Sequence, residues 1–161
     1  MFQRIIKKWK PKTLPAAKKN QVLESKSHKQ KLGHAGERFA QKYLEDLGWR
    51  VQERNWRSGR HAEIDIIAED KSKTLVFVEV KARRTSGREL GFMQVGFDSI
   101  DGRKKRKIIT GALLYLAKHN LAEARYRFDA IVLYYPELEP GPEALGQVFP
   151  QIIHVSDIFS V

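Results

Sequence analysis

The chain has 161 residues, of which 42% are hydrophobic and 30% charged, and its net charge at pH 7 is +11. This length suits one domain with a substantial core, with or without a tail. The absence of cysteine excludes disulfides and thiolate metal sites. No run approaches the roughly 18 apolar residues of a membrane span, and the N-terminus lacks the apolar stretch of a secretory signal. We therefore expect a soluble, cytoplasmic protein with no integral membrane segment.

The positive charge is concentrated at the N-terminus. Residues 1–31 contain nine Lys and one Arg against the single acid Glu24, whereas the rest of the chain is nearly balanced. Two prolines and little apolar content after Trp9 predict that residues 1–32 form a basic, largely disordered arm. Apolar residues at helical spacing leave open a short helix that docks on a membrane surface or a partner. These residues are Phe2, Ile5, Ile6 and Trp9.

A helix opens the domain that we predict over residues 33–161. In GHAGERFAQKYLEDLGWR (33–50), the apolar residues recur at helical spacing, and Gly48 supplies a stop signal. Gly36 lies in the middle of the apolar face and permits close packing on a sheet, and Glu37 lies at its edge. The apolar face consists of Phe39, Ala40, Tyr43, Leu44 and Leu47.

The remaining pattern predicts strands, a second helix and more strands. Close spacing and the polar turn EDKSK make the first three strands an antiparallel meander. The order of helix, three strands, helix and two strands predicts a small α/β domain with a mixed sheet. The strands are predicted at 49–57, 62–68, 74–82, 125–135 and within 147–159, and the second helix at about 100–119.

Charged residues interrupt two of these apolar strands. Because side chains alternate across a strand, Glu79 and Lys81 share one face of VFVEVK. In AEIDII, the same alternation places Ile64 and Ile66 on one face and Asp65 on the other. A turn centred in EDKSK would place Asp65 opposite Glu79, with the two carboxylates roughly 5 Å apart.

Two adjacent carboxylates destabilise a sheet unless positive charge lies between them. A hard divalent cation such as Mg²⁺ accepts one or two carboxylates together with water. Lys81 would then hold a phosphate oxygen or the attacking water, as metal-assisted phosphodiester hydrolysis requires. The alternative is a solvated ion pair, because Glu-x-Lys is common in strands. Asp65 in an apolar run favours the functional interpretation.

Basic residues elsewhere indicate a polyanion. GRKKRK (102–107) opens the second helix with cations that oppose the helix dipole, an arrangement that bound phosphates favour. The alternative is a merely soluble helix start. Two arginines just past the third strand add candidate phosphate contacts. The candidate nucleic-acid-binding residues are Arg83, Arg84, Arg103, Lys104, Lys105, Arg106 and Lys107.

Four segments together resemble the YraN-like family of bacterial proteins, which is related to archaeal Holliday junction resolvases in the restriction-endonuclease-like nuclease superfamily. These segments are GERFAQKYLEDLGWRVQERNWR, AEIDIIAED, VFVEVKARR and KKRKIITGALLYL. The likeness runs from about Gly33 to the strand that contains Asp129. Two departures are Ile64, in place of the superfamily's motif proline, and Ala62, where these proteins usually have glycine.

The resemblance implies a PD-(D/E)xK nuclease core with Mg²⁺ or Mn²⁺ as cofactor. It makes Asp65 the metal-binding aspartate, Glu79 the second carboxylate, Lys81 the catalytic lysine and Glu37 the first-helix glutamate. Lys104 matches the basic position that opens the second helix. Because junction-cutting relatives act as dimers, the resemblance also allows a homodimer.

The sequence therefore predicts a Mg²⁺-dependent endonuclease that hydrolyses DNA phosphodiesters, with branched or single-stranded DNA as candidate substrates. One alternative is an accessory protein that binds nucleic acid and keeps the fold without the chemistry. Another is a protein that docks on a membrane or partner through its basic arm.

Overall fold

The computed structural model describes residues 4–7, 9, 28–60, 62–85, 102–136 and 149–159. Two helices, labelled α, and six strands, labelled β, account for most of these residues. In chain order they are β1 (Arg4–Lys7), α1 (His28–Asp46), β2 (Arg50–Ser58), β3 (Ala62–Glu69), β4 (Leu75–Thr85), α2 (Gly102–Lys118), β5 (Tyr126–Pro136) and β6 (Gln151–Val155).

The six strands form one mixed sheet in the order β1-β6-β5-β4-β3-β2. The β2-β3-β4 meander is antiparallel, as predicted, and β4 and β5 are the parallel pair. The connection between β4 and β5 includes α2, in keeping with the long crossover that parallel neighbours need. The predicted α/β class with a mixed sheet is confirmed.

The helices cover opposite faces of the sheet. Phe39, Tyr43 and Leu44 of α1 pack with Val76 and Val78 of β4 and with apolar residues of β5. On the other face, α2 packs against the alternate β4 residues, Leu75 and Phe77. The α2 residues in this cluster are Ile108, Ala112, Tyr115 and Leu116. The alternation predicted for β4 is therefore correct, and its odd-numbered residues face α2. Neither of the two described helices has the length and apolar content that a membrane span requires.

Two glycines fix the position of α1. The backbone amides of Gly48 and Trp49 donate to the carbonyls of Glu45 and Leu44 at 2.8 and 3.0 Å. Gly48 adopts the left-handed conformation, with φ 81°, that ends many helices. At the other glycine, Gly36, the helix lies so close to Ala82 of β4 that a Cβ added at residue 36 would meet it at 2.7 Å. This contact brings Glu37 toward the sheet.

The N-terminal segment differs from the prediction. Arg4–Lys7 forms β1 and pairs antiparallel with β6, so the helix considered for Phe2 to Trp9 is wrong over these four residues. Helical spacing could not reveal that β6 offers an unpaired backbone edge. Trp9 packs edge-on against Tyr43 with 5.7 Å between ring centroids. Residues 8 and 10–27 of the predicted arm lie outside the described residues.

Several boundaries are also corrected. The first helix begins at His28, earlier than the predicted helical segment, which starts at Gly33. The last strand is shorter than predicted and begins at Gln151, directly after Pro150, because proline cannot donate to a strand ladder. The predicted loops at 86–97 and 136–146 lie outside the described residues except for Pro136, which ends β5.

The side-chain alternation predicted for β3 is wrong around Asp65. Ala62 and Ile64 pack with the α2 cluster, whereas Ile66 packs with the α1 cluster, so the strand changes face between Ile64 and Ile66. The opposing residue of β2 is Asn55, because Arg54 pairs with Ile66 and Trp56 with Ile64. Its φ of 50° is left-handed, a conformation that interrupts an extended strand.

A buried polar network joins β5, β6 and α1. Asp129 is fully buried and accepts hydrogen bonds from Arg127 and from the backbone of Asp157, at 2.9 and 3.0 Å. Its other oxygen lies 2.9 Å from His154 Nε2, and His154 Nδ1 lies 3.3 Å from the Tyr43 hydroxyl. Burial opposes ionisation, but the bonds to His154 and Arg127 hold the pKa of Asp129 below its ordinary value.

Replacing Gly36 by alanine tests the close packing of α1 on β4. The added Cβ would lie 2.7 Å from the Cβ of Ala82 and 3.2 Å from Leu133 Cδ1, so the helix or the strand must shift. We expect Gly36→Ala to lower the free energy of unfolding by about 1–3 kcal/mol, measured by urea denaturation.

Gly33→Ala is the matched control, because nothing lies within 4 Å of a Cβ added there. Alanine is the better helix former, so this change should raise the free energy of unfolding by up to about 1 kcal/mol. Equal effects of the two substitutions would contradict the packing account.

Candidate functional site

Asp65 lies where the pairing of β3 with β4 stops. The last paired residues are Ile66 and Val78, and the register carried one step further places Asp65 opposite Glu79, as predicted. The backbone N–H of Val80, the next amide on that edge of β4, donates instead to Asp65 Oδ2 at 2.8 Å. The carboxylate thus takes the place of a ladder carbonyl, which fixes the side chain between the two strands.

Glu79 is the most deeply buried acid of the site, with 2% of its surface exposed. Lys81 Nζ lies 3.0 Å from its Oε1, and Lys104 Nζ lies 2.9 Å from its Oε2. Lys81 comes from the same strand, and Lys104 comes from the first turn of α2. Each carboxylate oxygen is therefore matched by its own lysine, as burial of a charge requires.

Glu37 reaches the site from α1 through Asn55. Asn55 Nδ2 donates to Glu37 Oε2 at 3.0 Å, and Asn55 is the β2 residue opposite Asp65. His34, one turn earlier, lies 3.7 Å from the same oxygen. Glu63, two residues before Asp65, is instead paired with Arg57 at 2.6 Å near the surface. The structure therefore groups Glu37 with Asp65, whereas the carboxylate of Glu63 is paired with Arg57.

Burial and neighbouring charge strongly perturb Asp65. Desolvation, followed by the negative charge of Glu79, raises the pKa of Asp65 to about 7, although Lys104 and the Val80 amide oppose the rise. Glu37 adds a smaller contribution that also raises this pKa. Burial disfavours the charge on Lys104, but Glu79 and Asp65 outweigh that effect and raise the pKa of Lys104. The negative charge of Glu79 therefore opposes the ionisation of Asp65.

The donor chemistry fits a hard divalent cation. Asp65 and Glu79 present carboxylate oxygens from adjacent strands, the ligands that Mg²⁺ and Mn²⁺ prefer. The raised pKa of Asp65 reflects desolvation and repulsion that a cation would relieve. Within the described ranges, no three Asp, Glu or His side chains already converge on one point as ligands. Asp65 and Glu79 are the pair that could hold the cation, with water completing its shell.

The predicted basic residues separate into different environments. Lys104 turns toward Glu79, and Lys105 lies over the ring of Phe159, 4.8 Å from its centroid. Arg103 and Arg106 are exposed, as is Arg84 on β4. Arg83 and Lys107 are half-buried. The run 102–107 is therefore not one uniform surface, since one lysine belongs to the carboxylate site and the arginines face solvent.

Sequence reasoning missed Asn55 and the inward position of Lys104. Asparagine is depleted in strand interiors, so its position within NWR was an available signal of irregular backbone. The composition of the run does not reveal the inward position of Lys104, because its neighbours Arg103, Lys105 and Arg106 are equally basic. Helical spacing was an available signal, because Lys104 lies one turn before the buried Ile108 on the same face of α2.

The fold and the site define a class of α/β protein. Two buried carboxylates lie on adjacent strands, with one lysine from β4 and one from α2 beside them. A model of the uncharacterised protein family UPF0102, the YraN-like family, matches residues 36–133. This match spans the helix α1 from Gly36, both carboxylates, both lysines and most of β5. The chain belongs to this family.

Curated relatives extend the match along most of the chain. A UPF0102 protein of Geobacter sulfurreducens is 38% identical over 140 residues, 87% of this chain and 97% of the relative. One from Trichlorobacter lovleyi is 37% identical over 132 residues, 82% and 92% of the two chains. One from Desulforapulum autotrophicum is 43% identical over 108 residues, 67% and 84%.

The pKa of Asp65 predicts a distinctive pH dependence of stability. This carboxyl titrates near 3.8 in the unfolded chain and near 7 in the folded protein. Between those values the folded state binds more protons, so the free energy of unfolding falls as the pH rises. We expect the free energy of unfolding of the wild type, in EDTA, to fall by about 2–4 kcal/mol relative to that of Asp65→Asn between about pH 4 and pH 7. Urea denaturation across this pH range measures the difference.

Asparagine keeps an oxygen for the Val80 amide but does not titrate, so the comparison isolates the ionisation. Asp70→Asn is the control, because hydrogen bonds from Arg127 and the turn backbone hold the pKa of Asp70 below its ordinary value despite the opposing effect of burial. The difference in the free energy of unfolding between Asp70→Asn and the wild type should stay constant above about pH 5. A constant offset for Asp65→Asn over the same interval would contradict the assigned ionisation.

Proposed function

We propose that this protein is a divalent-cation-dependent nuclease that hydrolyses phosphodiester bonds in DNA, with branched or single-stranded DNA as the candidate substrate. The observation that carries the proposal is the buried Asp65–Glu79 pair with Lys81 and Lys104 beside it. Buried like charges are costly to maintain and are common at catalytic sites. Surface ion pairing does not account for a glutamate that is 2% exposed.

The element order supports a restriction-endonuclease-like core. One helix precedes an antiparallel meander, a second helix follows, and β5 then lies parallel to the last strand of the meander. The acidic pair lies where the middle and last strands of the meander diverge. This arrangement agrees with the nuclease resemblance of VFVEVK and AEIDII, and it is the basis on which we propose that core.

Each residue has a separate proposed role. Asp65 and Glu79 would hold Mg²⁺ or Mn²⁺, and the Val80 amide keeps the Asp65 carboxylate in position. When bound, the cation would lower the pKa of a water molecule and neutralise charge on the phosphate. Lys81, which is about a quarter exposed, is placed to orient water or a phosphate oxygen. Glu37 would support Asp65 from the side of Asn55.

A second candidate function is nucleic-acid binding without cleavage. One observation favours it, because Lys81 and Lys104 already neutralise both oxygens of Glu79 without any cation. A site that is balanced by its own lysines could be maintained for stability alone. The exposed arginines of α2 would then bind the phosphate backbone with little sequence preference.

A cleavage assay tests the nuclease proposal. The protein is incubated with duplex, single-stranded and four-way-junction DNA in Mg²⁺ or Mn²⁺, beside Asp65→Asn and Lys81→Met. Because each substitution removes a charge that acts on the reacting groups, we expect the cleavage rate to fall by at least about 100-fold in each variant. Chelation with EDTA should abolish cleavage by the wild type.

Lys73→Met is the matched control for Lys81→Met, because Lys73 is 81% exposed in the β3–β4 turn and pairs with Glu69 instead. This control should cleave at the wild-type rate. Cleavage that survives both active-site substitutions would contradict the assigned site. DNA binding without cleavage of any substrate would overturn the proposal and favour the second candidate.

The exposed arginines of α2 predict salt-dependent DNA binding. Arg103→Ala combined with Arg106→Ala should weaken binding and make the negative slope of log affinity against log salt shallower, by about 0.7–0.9 for each phosphate that the arginines no longer neutralise. Fluorescence anisotropy across a salt series measures this slope. Lys118→Ala, at the opposite end of the same helix, should leave it unchanged, and an unchanged slope in the arginine variant would contradict the predicted phosphate binding.

A further inference from the structure

The two lysines that neutralise Glu79 are anchored differently. Lys81 follows Glu79 by two residues on β4, so both side chains leave the same rigid strand. Lys104 belongs to the first turn of α2 and reaches Glu79 across the gap between helix and sheet. Its flexible four-carbon stem allows the ammonium group to move without any backbone change. Lys104 is therefore the partner of Glu79 that comes from outside the strand, at the basic N-terminal end of α2.

An alternative partner for Lys104 would arrive with nucleic acid. Lys104 lies between Arg103 and Arg106, both exposed, at the N-terminal end of α2. A phosphate that binds there meets these arginines and the positive end of the helix dipole. The Lys104 side chain is about a quarter exposed, and its ammonium group lies 2.9 Å from the buried carboxylate of Glu79. It can therefore contact either a phosphate outside or Glu79 inside.

We propose that Lys104 is a displaceable counter-ion of Glu79, which it neutralises in the absence of nucleic acid and releases when a phosphate binds, so that DNA and divalent-cation binding are coupled. The inference rests on the proposed function and adds a regulation of the same site. Lys104 prevents the pocket from taking up a cation before substrate is present. Because coupling between two ligands is reciprocal, bound cation should tighten DNA binding by the same factor.

Isothermal titration calorimetry with Mn²⁺ tests this coupling. The wild type and Lys104→Met are titrated alone and with a duplex whose phosphorothioate linkages resist cleavage, after subtraction of Mn²⁺ binding to the duplex itself. We expect the duplex to tighten Mn²⁺ binding to the wild type by at least about tenfold. Lys104→Met should already bind Mn²⁺ at least about tenfold more tightly than the wild type without DNA, and the duplex should add little.

Lys118→Met is the matched control, because Lys118 lies on the same helix at the end opposite Lys104 and is not among the predicted DNA-binding residues. It should show the wild-type affinity and the wild-type coupling. Lys104→Gln provides a second variant that keeps a polar end, and thermal unfolding establishes that each protein is folded. Glu79→Gln should remove the coupling, because it removes the carboxylate that Lys104 and the cation share.

The outcomes separate this inference from the proposed function. Unchanged Mn²⁺ affinity in both Lys104 variants, while the wild type still cleaves DNA, would overturn the counter-ion role and leave the nuclease proposal intact. Full coupling retained in Lys104→Met would also overturn it. Failure of every protein to bind Mn²⁺, together with absence of cleavage, would overturn both.

Discussion

The buried carboxylate of Glu79 requires positive charge close by, and this requirement determines how β4 and α2 are placed at the centre of the fold. Lys81 supplies one charge from the same strand. The second charge comes from Lys104 on α2, the helix that lies between β4 and β5 in the chain. The first turn of α2 must therefore lie over β4. Removing either lysine would leave one oxygen of the buried carboxylate without its partner, which costs more than the loss of a surface pair.

The irregularity in β3 and β2 serves the same pocket. A regular ladder would carry Asp65 onto one face and let Val80 pair with backbone. Instead, Asp65 caps the Val80 amide, β3 changes face, and Asn55 adopts a left-handed conformation and holds Glu37 from α1. Regular strand pairing is interrupted at Asp65, and three acidic side chains, Asp65, Glu79 and Glu37, lie around the interruption. Such local departures from regular structure concentrate at functional sites.

Sequence patterns revealed the acidic pair because it depends on local features, the alternation along β4 and a turn in EDKSK. They failed where distant elements decide the outcome. Ile5 and Ile6 became a strand because β6 offers an edge, which no count of helical spacing detects. On α2, Leu113 is 49% exposed although it is apolar, whereas Tyr115 is buried against the sheet. The network of Asp129 joins three elements far apart in the chain.

A crystal structure with Mn²⁺ and a duplex that resists cleavage tests the central claim most directly, because anomalous scattering locates the ion independently of any rate. The account predicts an ion within about 2.5 Å of carboxylate oxygens of both Asp65 and Glu79, with Lys104 turned toward a phosphate. An ion bound elsewhere, with Lys81 and Lys104 still paired to Glu79, would contradict it.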